Sequence, residues 1–233
     1  MKLWLVPFLL LATVPTAIGN AMPPPQISSV DTAVHKLMEN TGARGLALAI
    51  IDGGQVRYVR ADGIRNAKND PLRTDTVMYG ASLTKTVFAY TVLRLVDQGK
   101  LALDTPLAEY LDRPLPDYDT EAIYPDKYGH YRDLVGDPRW QRITARDVLT
   151  HSTGFPNFWW DEPNQELRIH FDPGTRYSYS GEGMILLQFV IENGRKAQGL
   201  GLDLGKLTQT NFDRLGMTRT SLQWRPDFRP NLA

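Results

Sequence analysis

No cysteine occurs among the 233 residues. Disulfides, thiolate metal sites and cysteine nucleophiles are thereby excluded. Histidine is scarce, with four in all, and no H-E-x-x-H is present, which argues against a zinc hydrolase; no metal or organic cofactor is implied. An excess of one charge is also missing: 26 Lys+Arg against 26 Asp+Glu gives a formal net charge of +0. With no local basic run either, nothing points to a nucleic-acid partner. There is no G-x-S-x-G elbow, since "GASLT" at Gly80 lacks the second glycine. Internal repeats are absent.

What is present is ordinary globular material, 42% hydrophobic and 22% charged, enough for a sizeable core and about one domain. Residues 1–21 read as a secretory signal: a basic start at Lys2, an apolar stretch, then small residues with cleavage after Gly19 or Ala21. Pro7 and Pro15 interrupt the stretch, which is shorter than the ~20 residues a spanning helix needs. The expectation is a periplasmic or secreted protein with no stable membrane span after cleavage. Without a cysteine after the signal, no lipoprotein anchor is expected. Residues 22–29 read as an extended linker and 30–233 as the globular part.

Residues 30–40 form an amphipathic pattern. "GLALAIID" and "QVRYVRA", separated by Gly53-Gly54, predict a β-hairpin with a two-residue turn, its continuous apolar first strand the more buried. From about Ser82 to Gly99 the chain reads as a helix apolar nearly all round, hence central in a domain. A short helix is expected in "LALDTPLAEYL". Residues 115–140 are a long connection, either a functional rim or lid or a solvated excursion. Thr144 and Asp147 fit a capping box. "MILLQFVIENG" predicts a buried helix closed by Gly194, and a last helix covers 202–215. One hairpin followed mostly by helices favours an α+β class.

Ser82 and Lys85 form an S-x-x-K pair. Three residues apart on a helix, they share a face. Ser82 at the helix N-terminus would have its oxygen's negative charge favoured by the dipole. A lysine in a dry site loses part of its preference for the charged form and can act as a base. Serine needs such a neighbour to become a nucleophile. The bland reading is an N-cap serine and a snorkelling lysine. Tyr179, in "PGTRYSYSG", is a candidate proton relay; alternatively Tyr177 and Tyr179 are aromatics on opposite faces of an extended segment. His151 ends a helix and reads as a cap on its last carbonyls, not as a triad member. Phe158, Trp159 and Trp160 fit a substrate groove or the core equally well.

"GASLTKTVFAYTVLRLVDQGKLALDTPLAEYL", "ITARDVLTHSTGFPN", "FDPGTRYSYSGEGMILLQFVIENG" and "LGMTRTS" together resemble successive blocks of the serine β-lactamase-related family, over roughly 42–221. That family includes class C β-lactamases, DD-peptidases and esterases. The resemblance implies a β-lactamase/transpeptidase-like fold, an antiparallel sheet with a helical subdomain. It implies Ser82 as the acylated nucleophile, Lys85 as its base partner and Tyr179 as the second-motif tyrosine. The reaction would be acyl transfer on an ester, amide or β-lactam carbonyl of a small-molecule or peptide substrate. Two departures stand out. Gly181 replaces the asparagine of the usual Y-x-N, removing an amide expected to contact Lys85 and the acyl side chain. The third motif, K-T-G or H-x-G on a strand, does not occur before Ala233, so the chain is expected to lack the C-terminal strands. The resemblance then implies either a fragment of a longer enzyme or a truncated, non-catalytic or degenerate family member.

Overall fold

The computed structural model of the chain describes residues 27–118, 120 and 127–233. The signal expected at 1–21, residues 22–26 of the expected linker, and 119 and 121–126 of the long connection lie outside the described residues. The chain divides into two compact units, one up to Thr76 together with Ala233, the other Val77–Leu232.

The first unit holds helix α1 (Ile27–Thr41) and an antiparallel hairpin of β1 (Gly45–Asp52) and β2 (Gln55–Gly63). α1 starts three residues before the 30–40 pattern, so residues 27–29 are helix and not linker. Gly53 (φ 55°) and Gly54 (φ 72°) are both left-handed, as a two-residue I′ turn requires. Ile50 pairs with Tyr58 and Ile51 with Val56, which leaves Arg57 as the extra residue of a bulge. The expectation that β1 is the more buried strand is corrected. Leu46, Leu48 and Ile50 are half-buried, but Ala47, Ala49 and Ile51 on the opposite face are exposed. A continuous apolar run reads as covered on both sides; among the described residues the sheet has two strands and β1 is covered on one face. α1 is tied to β2 by polar groups. Arg60 pairs with Asp31 and Asp62, Tyr58 Oη donates to Asp31, and Arg60 Nη2 lies 2.8 Å from His35 Nε2. The Tyr58 hydrogen bond holds the Asp31 carboxyl below its ordinary range, and Arg60 does the same for Asp62.

The second unit is helical: α2 (Thr84–Asp97), α3 (Ala145–Leu149), α4 (Gly181–Asn193) and α5 (Leu204–Arg214), joined by 3-10 turns. α4 is its centre. Leu186, Leu187, Phe189, Val190 and Ile191 are all buried, and Phe189 receives the ring edges of Tyr118, Tyr128 and Tyr131 at 5.0–5.1 Å. The described part of the long connection is therefore no solvated excursion, because Leu115, Tyr128, Tyr131, Leu134 and Trp140 all enter this core. α2 is less central than its composition suggests. It buries Thr91, Val92 and Leu95, while Leu83 just before it and Tyr90 and Leu93 within it are exposed. Apolar residues all round a helix state what can be covered; among the described residues only one face is. Gly99 (φ 68°) follows its end as expected. Thr144 and Asp147 form the capping box: Thr144 Oγ1 accepts from Asp147 N at 3.1 Å and Asp147 Oδ2 accepts from Thr144 N at 2.9 Å. α5 docks on α2 through a buried bond from Asn211 Nδ2 to Thr91 Oγ1, 3.0 Å. Among the described residues no helix is long and apolar enough to cross a membrane.

Candidate active site

Ser82 lies in a 3-10 turn (Ala81–Leu83) that runs directly into α2. Ala81 before it has φ 42°, a left-handed conformation that costs a non-glycine residue roughly 1–2 kcal/mol. Such local strain is a common feature of functional turns. Three residues on, Lys85 stands on the same side, and its Nζ donates to Ser82 Oγ at 3.3 Å. From 97 residues away, Tyr179 Oη donates to the same oxygen at 2.9 Å. Lys85 Nζ also sits over the Tyr179 ring, 4.9 Å from its centroid. Ser82 is exposed, Lys85 half-buried and Tyr179 39% exposed, so solvent-borne molecules can reach the cluster. The Lys85 ammonium, and then the Ser82 hydroxyl, hold the Tyr179 phenol below its ordinary pKa.

His151 does not cap the carbonyls of α3. It has φ 55°, and its side chain turns to the tyrosine segment, where Nδ1 accepts from Ser180 N at 3.1 Å. Its carbonyl accepts from Ser178 N at 2.8 Å, and its ring lies 4.5 Å from that of Tyr179. Only an unprotonated Nδ1 can accept that bond. Burial, and then the Lys85 charge, lower the His151 pKa and favour this neutral form. On its other side Tyr179 is held by Ser180, the N-cap of α4. Ser180 Oγ accepts from Gly183 N at 2.8 Å and donates to Pro156 O at 3.0 Å. The histidine thus clamps the tyrosine, a role that a partner 29 residues distant left unreadable in the sequence. Tyr177, 69% exposed, only meets the edge of the His151 ring.

The three aromatics divide their roles. Trp159 packs on the core and stacks on His130 at 3.7 Å. Trp160 is exposed and stacks on Phe158 at 4.5 Å, and Phe158 lines a cleft. That cleft, about 700 Å³, is lined by residues of α2, α4 and α5, with Lys85 and Gly181 among them.

Gly181 proves to be a packing requirement. A Cβ there would lie 2.5 Å from Asn157 O and 3.1 Å from Asn157 Oδ1. The Asn157 backbone carbonyl therefore occupies the place where a side chain from 181 would begin, and the Asn157 Oδ1 beside it is buried without a hydrogen-bond partner. Gly181→Asn should force this backbone apart at a cost of about 2 kcal/mol. The expected result is a melting temperature lower by roughly 5 °C, with no gain in reaction with cephalosporins, measured by thermal melt and by β-lactam absorbance. An unchanged melt would contradict the packing argument.

Glu182 had no evident role in the sequence beyond being the one acid at the head of an apolar helix. It is 1% exposed. Oε1 accepts from Trp159 N at 3.2 Å and Oε2 has no partner. Burial pushes its pKa up to about 7. Among the described residues no group of three or more His, Asp or Glu side chains is placed to hold a metal ion.

Comparison with known proteins places the chain. The D-alanyl-D-alanine-carboxypeptidase/endopeptidase AmpH of Escherichia coli K12 is 27% identical across 91% of this chain and 55% of its own length. Esterase EstB of Burkholderia gladioli is 30% identical across 56% of this chain and 29% of its own. A probable fimbrial assembly protein FimD of Dichelobacter nodosus is 29% identical across 66% and 39%. This chain spans about half the length of these relatives, or less. Among solved structures, a class C β-lactamase from Rhodobacter sphaeroides superposes with a TM-score of 0.63 at 23% identity, over 88% of this chain and 54% of that one. An octameric penicillin-binding protein homologue from Pyrococcus abyssi gives 0.63 at 21%, over 90% and 47%. The α+β fold is thus β-lactamase/transpeptidase-like, its small sheet and helical unit a part of the larger architecture. The Beta-lactamase family model matches residues 30–233, a stretch that takes in Ser82, Lys85 and Tyr179 alike, and the chain belongs to that family.

Proposed function

We propose that the chain is a serine hydrolase part that reacts by acyl transfer through Ser82. The observation that carries this is the convergence on one serine oxygen of two proton-bearing groups from separate elements, Lys85 at 3.3 Å and Tyr179 at 2.9 Å. In this reading Lys85 or Tyr179, once deprotonated, takes the Ser82 proton as Oγ bonds to the carbonyl carbon. The Ser82 N–H, at the start of its helical turn and without a partner inside it, faces the developing oxyanion. The bond to the leaving alcohol or amine then breaks, and the leaving group departs with the proton. Water later cleaves the Ser82 ester by the reverse relay. His151 positions Tyr179 throughout.

Esters are the favoured substrates. A site that recognises an amide through a hydrogen-bonding side chain loses heavily when that side chain is absent. Gly181 supplies none, and the Asn157 oxygen beside it is buried. The esterase relative is consistent with that preference. A fluorophosphonate or a p-nitrophenyl ester of a short acid should label the chain at Ser82, and Ser82→Ala should lose the label. kcat/KM for the ester should exceed that for a cephalosporin by at least about tenfold, the scale of one lost polar contact. The reverse order would overturn the ester preference. Labelling that survives Ser82→Ala would overturn the nucleophile, and no labelling at all would leave a binding or degenerate member of the family.

A further inference from the structure

We infer that the cleft between α2 and α4 is an acyl-chain channel, and that the substrates are medium-chain esters from hexanoyl to decanoyl. This rests on Ser82 being the acylated nucleophile. Lys85 lines the mouth of the cleft, and its Nζ is 3.3 Å from Ser82 Oγ, so an acyl group on Ser82 starts beside the opening. Gly181 also lines the cleft, and the space that a side chain there would take is filled by Asn157 O. Apolar side chains line one part of the cleft, Val87 and Phe88 of α2, Phe158, and Met184 and Ile185 of α4, while Gln188 and, from α5, Thr208 add polar groups. Along α4, residues 181, 184, 185, 188 and 192 share one helical face. At 1.5 Å rise per residue, Gln188 is ~10 Å and Glu192 ~16 Å from the mouth. The far end is polar. Lys127 Nζ pairs with Glu192 Oε2 at 3.0 Å, and Tyr128 Oη donates to the same carboxylate. The apolar stretch therefore ends where a chain of medium length ends, and a longer one would have to displace a charge pair.

In the reaction the acyl carbon leaves the p-nitrophenolate oxygen and bonds to Ser82 Oγ, the serine proton departing with p-nitrophenol. Single-turnover acylation of the chain by p-nitrophenyl acetate, butanoate, octanoate and decanoate, followed by intact mass, reads this directly. Each fully buried methylene is worth up to about fourfold, so octanoate should outpace butanoate by at least tenfold. Met184→Trp, one turn from the mouth, should erase the gain beyond butanoate. Gln188→Trp, a turn deeper, should slow only octanoate and decanoate. A circular-dichroism melt matching the wild type shows the fold of both variants intact, and acetylation of the unaltered chain shows the nucleophile intact. As a check on the unaltered chain, octanoic acid should compete with acetylation and acetic acid should not. A flat chain-length series, a rising series that neither tryptophan changes, or no competition by octanoic acid would each overturn the channel while leaving Ser82 acylation standing. Absence of acylation by every ester would overturn the nucleophile and the channel with it.

Discussion

Replacing Lys85 with arginine should leave the chain folded and reduce acylation of Ser82 by ~10³-fold or more. General bases contribute about 10²–10⁴ to such steps, and a guanidinium does not deprotonate in proteins. The substitution separates two things that lysine does at once. Its charge depresses the Tyr179 phenol and favours neutral His151, and arginine keeps that charge. Its nitrogen, 3.3 Å from Ser82 Oγ, can also hold the serine proton, and arginine cannot. Lys85 is half-buried at the start of α2 and makes no ion pair among the described contacts, so the fold should tolerate the change. Intact-mass labelling with p-nitrophenyl acetate and a circular-dichroism melt check both halves. If the arginine variant acylates at near wild-type rate, the base is not Lys85. Tyr179→Phe, which removes the 2.9 Å bond to Ser82 Oγ, should then be the variant that fails.

The features legible in the sequence are those whose causes are local. The hairpin rests on two adjacent glycines and flanking strands. The α3 cap rests on Thr144 and Asp147, three residues apart. The pairing of Ser82 with Lys85 follows from helical spacing alone. The features that escaped depend on residues distant in the chain. Nothing near His151 indicates that its ring will accept from Ser180 N, and nothing near Gly181 indicates that Asn157 will fill its side-chain space. Burial was the weakest inference for the same reason. The apolar composition of α2 and β1 describes surface available for covering, and which face is covered is set by partners elsewhere. α4 is buried because partners from several elements close round it, with three tyrosines packed on Phe189.

The stability of the second unit should fall as pH rises from about 4.5 to about 7, and Glu182→Gln should remove that dependence. The Glu182 carboxyl is taken from its ordinary 4.5 to about 7, chiefly because its side chain is almost wholly buried. The folded state therefore holds a proton that the unfolded state releases at lower pH. Wherever the folded state binds more protons, stability decreases with increasing pH. No penalty exists below the unfolded value, it grows between the two, and it is complete above the folded value. At about 1.4 kcal/mol per pKa unit, the full penalty is about 3 kcal/mol. Oε2 has no partner to offset the charge once it forms, and the one bond to Oε1, from Trp159 N, only partly compensates. Tyr131 beside it also has an unpartnered Oη, and its phenol is pushed up by burial and then by Glu182. Glutamine keeps the shape and the acceptor for Trp159 N but carries no charge. The opposite trend from His151, whose lowered pKa destabilises the fold as pH falls, is common to both proteins and cancels in their difference. Chemical denaturation at pH 5 and pH 8 should therefore find the glutamine variant close to wild type at the first. At the second it should be more stable by up to about 3 kcal/mol, or roughly 10 °C in melting temperature. A difference that does not change between the two pH values would mean that Glu182 stays ionised in the fold, and that water reaches a carboxylate placed here in the dry interior.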